Sequence, residues 1–129
     1  MQKPDYLYHG SPKQLEVLKP AQATGFSGAG DNENAVYAVA HYELAVAFAL
    51  SLTAQSDTAV FSVNTEMNPP IIQLKDTLID WHKTGYIYRL PSTSFQLIAP
   101  DQWVSYTAVR PVEVFKINPM DYKNWITLL

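Results

Sequence analysis

Residues 35–52 read AVYAVAHYELAVAFALSL, and two different periods meet inside them. Ala35-Val36-Tyr37-Ala38-Val39 is rich in β-branched and aromatic side chains, which predicts a strand. From Tyr42 to Leu52 the composition turns to Ala and Leu, with Leu44, Ala47, Phe48 and Leu52 at spacing i, i+3, i+4, i+8. That spacing puts them on one face of a helix. The chain to either side reads as short strands. Tyr6-Leu7-Tyr8-His9 is one, closed by Gly10-Ser11-Pro12 as a turn. Ala59 to Val63, Ile71 to Leu74, Tyr86 to Leu90, Phe95 to Ile98 and Trp103 to Tyr106 follow, with breaks at Asn68-Pro69-Pro70 and Pro91. Lys75 to Lys83 reads as a short helix or turn. Val112 to Ile117 alternates apolar and charged residues, the mark of a half-buried strand. Many short strands around one clear helix predict an α+β domain, since a parallel βαβ architecture needs more helices.

The chain has 129 residues and a mass of 14.5 kDa, the size of a single domain spanning 1–129. A hydrophobic fraction of 47% and a mean hydropathy of -0.10 exclude a disordered tail. The longest apolar run, Leu44 to Leu52, is interrupted by Ser51 and falls short of the roughly 20 residues of a membrane span. Met1-Gln2-Lys3-Pro4-Asp5 lacks the basic-then-apolar order of a signal peptide, so the expected compartment is the cytoplasm. Residues 21–34, AQATGFSGAGDNEN, hold three of the five glycines and read as a mobile surface loop.

Composition removes several classes of chemistry. There is no cysteine, hence no disulfide and no thiolate zinc site. His9, His41 and His82 stand far apart with no His-x-x-x-His pair, so no metal is expected. Gly25-Phe26-Ser27-Gly28 has the wrong spacing for a nucleophile elbow. The glycines at 25, 28 and 30 precede no Gly-Lys-Ser or Gly-Lys-Thr. With a net charge of -3 and only Arg89 and Arg110 as arginines, a basic face for nucleic acid is not expected. The aromatic content is high instead, with eight Tyr, five Phe and three Trp. Trp81, Trp103 and Trp125 are expected as core or interface aromatics.

Four stretches taken in order carry a resemblance. They are Leu7-Tyr8-His9-Gly10-Ser11, Ala35-Val36-Tyr37-Ala38, Ala45 with Phe48, and Gln102-Trp103-Val104-Ser105-Tyr106. Together the chain resembles the ADP-ribosyltransferase superfamily, in its His-Tyr-Glu branch that includes the poly(ADP-ribose) polymerases. The resemblance implies a split pair of antiparallel sheets with few helices, clasping NAD as co-substrate in the cleft between them. It implies His9, Tyr37 and Gln102 as the catalytic positions. It implies His9, Gly10, Ser11, Tyr37, Ala45 and Phe48 as the NAD-binding ones. His9 would hydrogen-bond the adenosine ribose, and the Gly10 backbone would pair with the nicotinamide carboxamide. Tyr37 and Phe48 would flank the ring, where π-faces attract a cation by about 0.5–2 kcal/mol.

Two positions depart from that pattern. Ala45 stands where the branch has Ser, which removes one hydroxyl contact to the carboxamide. Gln102 stands where the branch carries its catalytic Glu, so the charge that steadies the breaking glycosidic bond is missing. Glu113, Glu33 and Asp31 are the carboxylates that would substitute, unless a protein acceptor brings its own acid. His41-Tyr42-Glu43 spells the three letters in a row, but it opens a helix, and the helix dipole accounts for Glu43.

Three readings follow. The first is an NAD-binding mono-ADP-ribosyltransferase or NAD hydrolase with weakened catalysis, its acceptor undefined. The second is a non-enzymatic NAD or nucleotide-binding or interaction module, favoured by Ala45 and Gln102. The third is an RNA 2′-phosphotransferase-like enzyme, disfavoured by two arginines and the negative net charge.

Overall fold

The computed structural model describes residues 3–22, 34–64, 66–67 and 70–129. The strands, in chain order, are β1 (Tyr6–Ser11), β2 (Ala21–Gln22), β3 (Asn34–Ala38), β4 (Leu52–Ala54), β5 (Val60–Asn64) and β6 (Ile71–Lys75). They continue as β7 (Thr77–Ile79), β8 (Gly85–Pro91), β9 (Gln96–Ala99), β10 (Gln102–Ser105), β11 (Glu113–Ile117) and β12 (Ile126–Leu128). One α-helix, α1 (Tyr42–Ala49), follows β3, and a 3₁₀ helix (Pro119–Trp125) precedes β12. The fold is a mixed α+β arrangement of several antiparallel sheets, with two short helices among the described residues. No helix among them is long and apolar enough to cross a membrane.

Two sheets meet along β1. One has the order β1-β8-β11, the other β2-β3-β10-β9. Among the described residues a single antiparallel bridge joins them, in which Tyr8 and Val39 exchange two backbone hydrogen bonds of 2.8 Å. Two smaller sheets complete the structure: β12-β6-β5, in which β12 runs parallel to β6, and the β4-β7 pair.

Strand alternation sends β1 and β8 side chains to two faces. Leu7, Tyr88 and Leu90 pack on one face with Val36, Ala38 and Trp103, so Trp103 is a core residue as its sequence context predicts. The Tyr88 hydroxyl donates to the Lys13 carbonyl and accepts from the Leu15 amide, both at 2.6 Å, pinning the segment after β1 over this core. On the other face Ile87 and Ile117 pack beneath α1 with Ala45, Val46 and Ala49. There Tyr42 meets Tyr8 and Phe115 edge-on, with ring centroids 5.6 and 5.7 Å away. Burial, followed by the neighbouring Tyr122 and its hydrogen bond, pushes the Tyr42 hydroxyl up to about 12.

Helix α1 lies on glycine. A Cβ at Gly10 would overlap the Ala45 carbonyl oxygen and sit 2.9 Å from the Ala49 nitrogen. A Cβ at Gly85 would overlap the Ala49 carbonyl. This close approach corrects three sequence expectations. Gly10 and Ser11 do not turn the chain but continue β1 to Ser11, because Gly10 is the floor under the helix. The helix is shorter than 42–52, with Leu50 already extended and Leu52 paired with Ile79. The buried positions are Ala45, Val46, Ala47 and Ala49, whereas Phe48 stays 40% exposed. Small side chains face the strands because the two backbones nearly touch.

Two further differences concern connections. Lys75 to Lys83 does hold a turn at its end, where the Lys83 amide donates to the Asp80 carbonyl at 3.4 Å, but no helix: Asp76 takes φ 48° and ends β6, after which Thr77–Ile79 pairs with β4. Of the loop expected at 21–34, Ala21–Gln22 pairs with Asn34 and Ala35 as β2 against β3. Residues 23–33, and with them Asp31 and Glu33, lie outside the described residues.

Candidate functional site

The bridge between β1 and β3 is one rung long, and its neighbourhood holds most of the positions singled out in the sequence. Tyr8 directs its amide and carbonyl to β3, so by alternation Gly10 directs its own the same way. The next rung would pair Gly10 with Tyr37. It is missing, because the Tyr37 carbonyl is bonded instead by the His9 ring, Nδ1 to oxygen at 2.6 Å. The Gly10 amide and carbonyl thus face the junction with no strand partner on that side among the described residues. An edge offering one donor beside one acceptor matches a primary carboxamide, which carries the complementary pair.

A carbonyl only accepts, so Nδ1 carries the hydrogen and Nε2 is left as an acceptor. Burial lowers the affinity of His9 for a second proton, and the Tyr37 bond opposes this only in part. The ring also lies 6.2 Å from that of Tyr88, its cross-strand partner. Because the folded-state value is below 6.5, the stabilisation from neutral His9 is complete above pH 6.5 and is lost as pH falls below it. Thermal midpoints at pH 7.5 and pH 5 should therefore differ more in the wild type than in His9→Gln. Equal differences in the two proteins would show that His9 is not the group titrating.

Tyr37 pairs with Val104 on β10, and Gln102 opens the same strand. His9, Tyr37 and Gln102 consequently stand on β1, β3 and β10, three strands in succession. Gln102 is half-buried beside a β-bulge that falls between it and Trp103. Ala45 is fully buried, its carbonyl against Gly10. Ser11 is buried and its hydroxyl accepts from the Lys13 amide at 3.1 Å, so its structural work is to shape the bend after β1. Phe48 is exposed, with its ring 5.6 Å from Phe61.

Two described carboxylates of these sheets, Glu113 and Asp101, are engaged. Glu113 pairs with Arg89 at 3.2 Å, and the Arg89 guanidinium stacks 4.0 Å from the Tyr6 ring centroid. Asp101, adjacent to Gln102, was not singled out in the sequence. Its Oδ1 accepts from the Ala40 amide at 2.7 Å, and its Oδ2 lies 2.8 Å from His41 Nδ1. His41-Tyr42-Glu43 does open α1, with Glu43 in the first turn. The sequence signal for Asp101 was slight, a Pro-Asp pair between two expected strands. Comparison of the chain with protein-family models, with curated proteins and with solved structures finds no match in any of the three.

Proposed function

We propose that the junction of β1, β3 and β10 binds NAD, and that the chain is an ADP-ribosyltransferase-like protein, a mono-ADP-ribosyltransferase or NAD hydrolase of weakened catalysis. One observation carries this reading. The unpaired Gly10 backbone rung lies where His9, Tyr37 and Gln102 come together on successive strands. On this reading the two sheets either side of the one-rung bridge are the split pair that the resemblance implies. Gly10 reads the carboxamide, and His9 offers Nε2 to a ribose hydroxyl. Tyr37 and Phe48 flank the nicotinamide. NAD supplies the activated glycosidic bond, and Gln102 accepts one hydrogen bond from the nicotinamide ribose without adding charge.

A second reading, a nucleotide-binding module without turnover, is favoured by the two departures: Ala45 offers no hydroxyl and Gln102 no charge. The RNA 2′-phosphotransferase reading loses ground, because Arg89 is engaged by Glu113 and Tyr6.

The deciding experiment is calorimetric titration of the folded protein with NAD, read alongside nicotinamide release. Binding with release supports the enzyme, and binding without release supports the module. Absence of binding, or binding that survives both His9→Ala and Tyr37→Ala unchanged, overturns the proposal.

A further inference from the structure

Asp101 occupies the turn between β9 and β10 with φ 49°, in the left-handed region that Asp tolerates better than most residues. Its carboxylate does not serve that turn. Both oxygens reach the connector from β3 into α1, one to the Ala40 amide and the other to His41 Nδ1. His41 is the residue before the helix, yet its side chain makes no capping bond to α1. The connector into the helix is thus held by a side chain from another strand pair, while no N-cap side chain bonds the first amides of α1. That helix rests its Ala45 carbonyl on Gly10. A single carboxylate therefore ties the beginning of β10, where Gln102 stands, to the element seated on the open rung of β1. The bulge after Gln102 makes this tie matter, since the register with β9 shifts at that point.

We infer that Asp101 is a positioning residue, which through its bonds to Ala40 and His41 sets where the Gln102 side chain stands relative to Gly10 and Tyr37. The inference rests on the NAD reading for its functional consequence, though the tie itself is independent of it.

Two substitutions separate the backbone demand from the tie. Asp101→Asn suits the same φ and keeps an oxygen for the Ala40 amide. Asp101→Gly accepts that φ without strain and removes both bonds. In ligand-free protein the side-chain amide resonances of Gln102 should move in Asp101→Gly and stay near their wild-type positions in Asp101→Asn. His41→Ala, which leaves the turn intact, should give a smaller displacement in the same direction.

In the Gln102→Glu background, Asp101→Gly should lower the rate of nicotinamide release at saturating NAD by about 10²-fold, the scale of a 1 Å misplacement. Affinity for NAD should change little, and both proteins should be fully folded at the assay temperature by thermal melting. A residue that only supports folding would lower activity in step with the folded fraction instead. Unmoved Gln102 resonances in Asp101→Gly, or equal release rates in the Gly and Asn variants, overturn the inference. Should the Gln102→Glu protein bind no NAD, the functional reading falls while the Gln102 resonances still decide the role of Asp101.

Discussion

Replacing Gln102 by Glu is expected to raise nicotinamide release from NAD by about 10²–10³-fold, the usual worth of one preorganised electrostatic partner. On the NAD reading the side chain at this position faces the nicotinamide ribose as the glycosidic bond breaks and positive charge develops there. Glutamine can accept the ribose hydrogen bond but brings no charge, so ground-state binding survives while the transition state goes unsupported. Two described carboxylates, Glu113 and Asp101, are already engaged. Glu113 is paired with Arg89, and both Asp101 oxygens are bound. The measurement is single-turnover nicotinamide release by the two proteins at matched NAD occupancy. A rise confirms an intact site that lacks only charge. An unchanged rate with NAD bound would remove Gln102 from the acid's place.

Gly10→Ala is expected to destabilise the fold by about 3 kcal/mol, the upper part of the range for overpacking, because the added methyl meets helix backbone and not a side chain that can rotate away. For a domain of this size that corresponds to a fall in Tm of roughly 10 °C. Gly85→Ala meets the same helix at Ala49 and should cost a similar amount. The double variant should lose less than the sum, since a helix lifted by one methyl has already made room for the other. The pair also separates stability from binding. Gly10 lies at the open rung and Gly85 does not, so NAD affinity should suffer only in the first. A Gly10→Ala protein melting within a degree or two of wild type would show that α1 is not seated on β1 as described.

The strands β1, β3, β5, β6, β8, β9, β10 and β11 were legible because each is a short apolar or alternating run punctuated by Pro, Gly or Asn, whereas β2, β4 and β12 were not singled out. The buried face of α1 was not. Apolar spacing marks large side chains such as Phe48 and Leu52, whereas here the buried face is chosen by what is absent, the side chains of Gly10 and Gly85. Periodicity has no access to the partner's surface. Thr77–Ile79 was hidden for a similar reason, since its strand character comes from Leu52–Ala54 across the sheet. His9, Tyr37 and Gln102 could be picked out one by one, each from its local motif. Their succession on β1, β3 and β10 is a property of topology. Asp101 shows the limit most plainly: its partners lie some sixty residues earlier in the chain, and nothing in Pro100-Asp101-Gln102 points to them.

The central place of β1 has a kinetic side. Its long ladder is with β8, Tyr6 pairing with Pro91, and its other strand pairing is the bridge to Val39. Neither sheet can close until the chain has doubled back over most of its length, and so much loop-closure entropy must be lost before the contacts that repay it form. Refolding should accordingly run on the millisecond-to-second scale of non-local β topologies, and not the microseconds of helical bundles. During synthesis Leu7 and Tyr8 emerge long before β8. In that interval the strand that later joins the two sheets is an open edge, and it is the segment where a nascent chain is most exposed to pairing with the wrong partner.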